Sequence, residues 1–183
     1  MRILIDACVL YPTVLREIVL AVAARGRFAA LWSPRILEEW ARAAARGGAG
    51  DEAIARGEIA LLRARLPDCE ITPPDGAETA LDLPDAADRH VLAAAIAARA
   101  DAILTANLRD FPRGALAVHG LRAVSPDALL MEIWLDEAAS VEAAIREVRA
   151  RTEEISGRDQ PLRPLLKRAG LPRLGKALRD RDS

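Results

Sequence analysis

The stretch LDLPDAADRHVL, residues 81–92, concentrates carboxylates where a helix is predicted to begin. Asp82, Asp85 and Asp88 stand three apart, directly before an alanine-rich apolar run. One acid is expected there, because the helix macrodipole and the unpaired N–H groups of the first turn attract negative charge. Three acids exceed that need, which indicates that some of these carboxylates have a chemical task.

Further acids occupy comparable places elsewhere in the chain. Asp6 lies in a short apolar run, Asp110 follows a second such run, and Glu39 lies early in a helix predicted to begin at Ser33–Pro34. Two unit charges about 4 Å apart repel by on the order of 4 kcal/mol at an effective dielectric of about 20. A divalent cation reverses this, and oxygen-only ligands suit Mg²⁺ or Mn²⁺. Because such a cation can polarise a phosphoryl oxygen and bind an attacking water, the acids indicate metal-assisted phosphodiester hydrolysis.

Short apolar strands alternating with amphipathic helices must position these acids. Residues 3–10 predict a buried strand that meets Asp6 near its end, and Asp101–Thr105 predicts a second. Helices are predicted over 13–25, 33–46, 51–66, 87–99 and 125–135, then from Asp136 onward. A weaker helical segment is predicted over 165–178, broken by Gly170 and Pro172. This alternation predicts an α/β sandwich around a mostly parallel sheet, whose functional crevice lies beyond the carboxyl ends of the strands.

The composition excludes several classes of protein. The chain has 183 residues, of which 51% are hydrophobic, which suits one domain with a small appendage. Aromatic residues make up only 3%, which disfavours a base-stacking platform. Cys8 and Cys69 lie far apart outside any CxxC pattern, so a disulfide scaffold and a structural zinc site are not expected. Neither a signal peptide nor a run of roughly 20 apolar residues is present, so we expect a cytoplasmic protein without a membrane partner.

The charge is unevenly distributed along the chain. Residues 157–183 hold eight basic and three acidic residues, a net charge of +5, whereas residues 1–156 carry −6. A basic tail on an acidic body is typical of a nucleic-acid patch or a docking surface, and equally of a solvated arginine-rich helix. The sequence leaves these alternatives open.

Four segments together resemble the PIN-domain family of nucleases, as seen in VapC-type toxins. They are LIDACVLYP, SPRILEEW, LPDAADRHVLAAA and ILTANLRDFP, which span residues 3–112, and SPDALL extends the likeness towards Leu135. The resemblance implies a three-layer α/β/α sandwich. It also implies a PIN-like nuclease domain over residues 1–135, followed by a helical C-terminal extension with a basic tail over residues 136–183.

The same resemblance implies a set of functional residues. It makes Asp6, Glu39, Asp88 and Asp110 the catalytic and metal-binding acids. It gives supporting roles to Asp85, Thr105 and Asn107. The implied activity is Mg²⁺- or Mn²⁺-dependent hydrolysis of RNA by an endoribonuclease, and the implied partners are an RNA substrate, a cognate antitoxin and a second copy of the chain in a homodimer.

Other hypotheses stay open beside this one. The chain could be a catalytically silent PIN-fold module that uses its pocket or tail for docking. An aspartate-nucleophile phosphatase is disfavoured, because Cys8 stands where such an enzyme needs a second acid; burial as a small hydrophobe is expected for Cys8. Arg89 and Arg109 are candidate phosphate-binding residues, although a surface role is the commoner one. His90 and His119 are isolated and are expected to be structural.

Overall fold

A computed structural model of the chain describes residues 1–179. The last four residues, which end the predicted basic tail, lie outside the described part. The chain forms two compact units, the first built from residues 1–11 and 28–124, and the second from residues 12–27 and from residue 125 onward. The division at residue 135 implied by the family resemblance stays a prediction.

The described residues form four strands and ten helices. The strands are β1 (Arg2–Ile5), β2 (Ala29–Leu31), β3 (Ala102–Leu104) and β4 (Arg122–Val124). The helices are α1 (Ala7–Leu10), α2 (Thr13–Ala24), α3 (Pro34–Ala45), α4 (Ala49–Arg65), α5 (Arg89–Ala97), α6 (Arg113–Ala117), α7 (Pro126–Asp136), α8 (Ala138–Ser156), α9 (Leu162–Arg168) and α10 (Pro172–Arg179). Within these residues, no helix has the length and apolar character needed to cross a bilayer.

The first unit contains a four-stranded parallel sheet with the order β2-β1-β3-β4. In its register, Leu4 pairs with Leu31 of β2 on one side and with Ile103 of β3 on the other. All of β3 and the last three residues of β1 are buried, as is typical of a parallel sheet covered on both faces. This is the α/β class, with the parallel sheet, that the sequence predicts.

The predicted strand over residues 3–10 is too long. Strand β1 ends at Ile5, and the next residues form the short helix α1. Asp6 is extended, at φ −74° and ψ 154°, and its carbonyl oxygen accepts hydrogen bonds from the N–H groups of Val9 and Leu10. The apolar run continues from strand into helix, and hydrophobicity alone cannot separate these two states over so few residues.

Helix α3 begins as the sequence predicts. Ser33 is its N-cap, and its hydroxyl accepts a 3.2 Å hydrogen bond from the N–H of Ile36. Pro34 takes the first helical position, where a missing N–H costs nothing. Leu37 and Trp40 then pack into the core, which leaves the opposite face of α3 for polar residues.

The second unit is helical, and α2 packs against α8. Helix α8 begins two residues later than predicted, with Glu137 as its N-cap. The weak helical segment over 165–178 is divided between α9 and α10, and Gly170, one of the two predicted break positions, takes φ 77° between them. Buried Asp127 accepts hydrogen bonds from the N–H groups of Arg173 and Leu174, which fixes the start of α10 against α7.

Candidate functional site

Asp6 stands at the carboxyl end of the central strand β1 and is 7% exposed. Its backbone N–H donates a 3.0 Å hydrogen bond to the carbonyl oxygen of Leu104, the last residue of β3. The parallel ladder therefore places the residues that follow β1 and β3 side by side, which is the sheet edge where sites of α/β proteins form.

Two side chains hold the carboxylate of Asp6 in place. The hydroxyl of buried Thr105 donates a 2.7 Å hydrogen bond to Oδ2 of Asp6, and Sγ of Cys8 lies 3.0 Å from the same oxygen and donates to it. Thr105 is itself oriented by the N–H of Asn107, which donates to its hydroxyl over 3.0 Å. Within residues 1–179 no hydrogen bond reaches Oδ1 of Asp6, so this oxygen remains available as a ligand.

Cys8 makes polar contacts, whereas the sequence predicts only burial as a small hydrophobic residue. It is half-buried rather than buried, and the N–H of Ala106 donates a 3.2 Å hydrogen bond to its sulfur. Burial and the neighbouring Asp6 carboxylate raise the pKa of the Cys8 thiol to about 12. The protonated thiol is thus the stable form, and it acts as a donor to Asp6.

Glu39 and Glu38 are neighbours in α3 with different surroundings. Glu38 is half-buried and lies between Arg56 and Arg42, whose hydrogen bonds lower the pKa of its carboxyl. Glu39 instead faces the cleft that holds Asp6. Glu38 does not line this cleft.

Asp88 ends a 3₁₀ turn over Ala86–Asp88 and precedes α5. Asp85 caps that turn, since its Oδ1 accepts a 2.8 Å hydrogen bond from the N–H of Ala87. The predicted helix over residues 87–99 is therefore shorter, at Arg89–Ala97, and the acids occupy the turn before it.

The surroundings of Asp88 raise the pKa of its carboxyl. Partial burial raises its pKa from 3.8 to about 6, and the negative charges of Asp6, Asp110 and Asp85 act in the same direction. His90 has the opposite, smaller effect. The charges of three other acids therefore act on Asp88 and disfavour its ionised form.

His90 is buried in α5, at 2% exposure, with both ring nitrogens lacking a hydrogen-bond partner among the described residues. Its Nε2 lies 2.7 Å from Oε1 of Glu39, but the N–H is not aligned with that oxygen. The ring thus lies against the Glu39 carboxylate at the base of the site.

An open cleft of about 320 Å³ collects part of this set. The predicted site residues that line it are Asp6, Glu39, Asp88 and Asn107. Those that do not line it are Asp85, Thr105, Asp110, Arg89 and Arg109: Thr105 lies behind Asp6, and Asp85 and Asp110 act on Asp88 through their charge. Arg89 lies near exposed Asp82, with 3.9 Å between Nη2 and Oδ1, and Arg109 is exposed.

The cleft wall contains two basic residues that were not predicted from the sequence. Arg42 and Arg46 line the cleft together with Glu39. Their spacing from Glu39, three and seven residues along one helix, is the signal that could have found them, because residues so spaced share a helix face.

The chemistry of the donor set fits a hard divalent cation. Asp6, Glu39 and Asp88 offer carboxylate oxygens to one cleft, and Mg²⁺ and Mn²⁺ prefer oxygen ligands. In the described residues no three His, Cys, Asp or Glu side chains converge closely enough to form a ready-made metal site. The three carboxylates therefore line one cleft, but they do not converge on a single point.

A family model described as PIN domain matches residues 2–109 of the chain. Over 45 residues the chain is 49% identical to a protein named "Putative ribonuclease VapC50" from Mycobacterium tuberculosis (strain ATCC 25618 / H37Rv). That match covers 25% of this chain and 27% of the relative, so it spans about a quarter of that protein. No solved structure shows significant similarity to the chain.

The matched family segment contains β1, β2, β3 and the cleft acids Asp6, Glu39 and Asp88. It covers more than half of the chain. The chain belongs to the PIN domain family.

Proposed function

We propose that this protein is a metal-dependent endoribonuclease that hydrolyses RNA phosphodiester bonds. The observation that carries the proposal is the meeting of Asp6, Glu39 and Asp88 in one open cleft, with Asp110 near enough to raise the pKa of Asp88. Unpaired carboxylates in such proximity are unfavourable without a cation. Membership of the PIN domain family and the name of the partial relative support the nuclease assignment.

We propose Asp6, Glu39, Asp88 and Asp110 as the residues that would hold Mg²⁺ or Mn²⁺. A bound divalent cation supplies charge stabilisation at a phosphoryl group and lowers the pKa of water. Asp6 lines the cleft, and Thr105 and Cys8 fix its Oδ2 oxygen. Asn107 lines the cleft, and its backbone N–H donates a hydrogen bond to the Thr105 hydroxyl that holds Asp6.

The test is cleavage of structured RNA by the purified full chain with Mn²⁺, with Mg²⁺ and with a chelator. Wild-type protein is expected to cleave only when a divalent cation is present. Asp6→Asn, Glu39→Gln and Asp88→Asn are each expected to abolish cleavage. Glu38→Gln is the matched control, because it removes a carboxylate next to Glu39 that lies among arginines outside the acid cluster.

Two results would reject the nuclease assignment. The first is absence of RNA cleavage and of Mn²⁺ binding by calorimetry in the wild-type protein. The second is undiminished toxicity to cells in Asp6→Asn, which would show that the cellular effect does not depend on cleavage and would favour a PIN-fold docking module without catalysis.

We also propose that the protein is the toxin of a toxin–antitoxin pair, acting in the cytoplasm as a homodimer. The name of the partial relative supports the toxin role. Expression of the chain alone is expected to arrest growth, and co-expression with the product of the adjoining reading frame is expected to relieve the arrest. Light scattering of the purified chain tests the dimer.

A further inference from the structure

We propose that Arg42 and Arg46 form a subsite that binds backbone phosphates of the RNA next to the bond that is cleaved. This inference rests on the proposed function, because it names how the same cleft recognises its substrate. It replaces Arg89 and Arg109, which do not line the cleft, as the residues that hold phosphate.

Arg42 and Arg46 lie on the same face of α3 as Glu39. Glu39, Arg42, Ala43 and Arg46 lie at positions i, i+3, i+4 and i+7 of α3 and its C-cap, and all four line the cleft. With a rise of 1.5 Å per residue, Arg42 and Arg46 stand about 4.5 Å and about 10.5 Å beyond Glu39 along the helix axis. The small side chain of Ala43 leaves the wall between the two arginines open.

The guanidinium groups of Arg42 and Arg46 are free to bind a ligand. The Arg46 guanidinium makes no ion pair or hydrogen bond with any described residue. Arg42 pairs with Glu38 over 3.2 Å, but the Arg42 side chain is 75% exposed, and such surface pairs contribute little. Both guanidinium groups can therefore turn to a ligand, and their planar donor fork matches a phosphate.

The acids of the cleft need positive charge beside them before an RNA strand can bind. Asp6, Glu39 and Asp88, together with nearby Asp110, carry four negative charges when ionised, so a single divalent cation leaves two negative charges at the site. RNA is a polyanion and would be repelled by such a site. The two arginines of the cleft wall offset the remaining negative charge, and acids and arginines together admit a phosphodiester chain across the cation site.

The experiment compares Arg42→Gln and Arg46→Gln with Arg65→Gln and Arg113→Gln. The control arginines are exposed and do not line the cleft, and they belong to the same unit of the protein. Cleavage of a short single-stranded RNA is followed with Mn²⁺ over a range of salt concentrations. Binding of the same fluorescent RNA is measured by anisotropy on the Glu39→Gln background, where cleavage does not deplete the ligand.

Each cleft substitution is expected to raise KM about tenfold with kcat nearly unchanged, because a charge-assisted hydrogen bond is lost in substrate binding. The slope of log affinity against log salt is expected to fall by about 0.7 for each phosphate contact removed from a single strand. Arg42→Lys and Arg46→Lys are expected to keep that slope and to lose part of the affinity. The control substitutions are expected to change neither quantity.

Several outcomes would overturn the subsite. Unchanged KM and an unchanged salt slope in both cleft variants would do so. A fall in melting temperature without a change in KM would also do so, because the arginines would then only stabilise the negative C-terminal end of the α3 dipole. Loss of binding to poly-glutamate with no loss for RNA would assign the surface to an acidic protein. A wild-type chain that binds RNA through these arginines but does not cleave it would uphold the subsite while rejecting the nuclease.

Discussion

The hydroxyl of Thr105 donates a 2.7 Å hydrogen bond to Oδ2 of Asp6, across 99 positions of sequence and between the ends of two adjacent parallel strands. Thr105 is fully buried, and its own oxygen accepts from the N–H of Asn107. This bond holds one oxygen of the Asp6 carboxylate, and Asp6 lines the cleft.

Thr105→Val removes this donor while keeping the shape of the side chain. We expect the free energy of unfolding to fall by about 1–2 kcal/mol, because a buried acceptor loses a partner. We expect kcat for RNA cleavage to fall at least about tenfold, because Asp6 is no longer held. Thr105→Ser keeps the hydroxyl and is expected to retain most of the activity. Equal activity in the valine and serine variants would contradict the positioning role.

Asp88 makes the stability of the metal-free protein depend on pH. Its pKa is about 6 in the folded chain against an ordinary 3.8, so the folded state binds more protons than the unfolded state between these values. The free energy of unfolding should therefore fall as pH rises from about 4 to about 6, and this contribution should be constant above that range. Denaturant unfolding with a chelator, at a series of pH values, measures it.

The matched variant for this effect is Asp88→Asn. We expect it to be more stable than wild type near neutral pH without metal and to lack the decline between about pH 4 and about pH 6. With Mn²⁺ the order should reverse, because cation binding stabilises only a protein that retains the ligand. A less stable Asp88→Asn protein in the absence of metal would show that Asp88 serves as a structural cap.

The Cys8 thiol should be unreactive in the native protein. With a pKa of about 12 rather than 9.0, its thiolate population near neutral pH is roughly a thousandfold smaller than that of an ordinary cysteine. We expect iodoacetamide at about pH 8 to modify Cys8 far more slowly in the folded protein than in guanidinium chloride. Mass spectrometry of the peptides measures this, and equal rates in the two states would contradict it.

Arg99 takes a left-handed backbone conformation, with φ 47°, immediately after α5. The N–H of Ala100 returns to the carbonyl oxygen of Ala95, as in a helix end that favours glycine. Arg99→Gly is therefore expected to raise the free energy of unfolding by about 0.5–1 kcal/mol, since the exposed side chain is not needed for packing. Arg99→Ala, which keeps a Cβ, should give no comparable gain. A loss of stability in the glycine variant by thermal unfolding would reject this explanation.

Asp127 links two helices of the second unit through backbone groups. Its carboxylate accepts from the N–H groups of Arg173 and Leu174 at 3.0 and 3.1 Å. Asp127→Ala is expected to cost about 1–3 kcal/mol, because both donors lose a charged partner. Hydrogen exchange should show loss of protection at the start of α10, while β1 and β3 keep theirs. Unchanged protection at Arg173 and Leu174 would contradict the link.

Local patterns in the sequence determined much of the fold. The Ser33–Pro34 pair predicted the start of α3, and the apolar run over residues 101–105 predicted β3. These features depend on neighbours a few positions apart, through capping and hydrophobic periodicity, so they are visible without the fold. The same dependence explains the error at residues 3–10, where a continuous apolar run hides the change from β1 to α1.

The family signal likewise belongs to the sequence, because the acids follow strands or precede helices at recognisable spacings. Only the tertiary structure decided which side chains meet. The order β2-β1-β3-β4 brings Asp6 beside Thr105, and the phase of α3 turns Glu39, Arg42 and Arg46 to the cleft while Glu38 faces away. Arg89 and Arg109, close to the acids in sequence, do not line it. Spacing along the chain fixes a residue's face on its own element, whereas contacts between elements are fixed by strand order and packing.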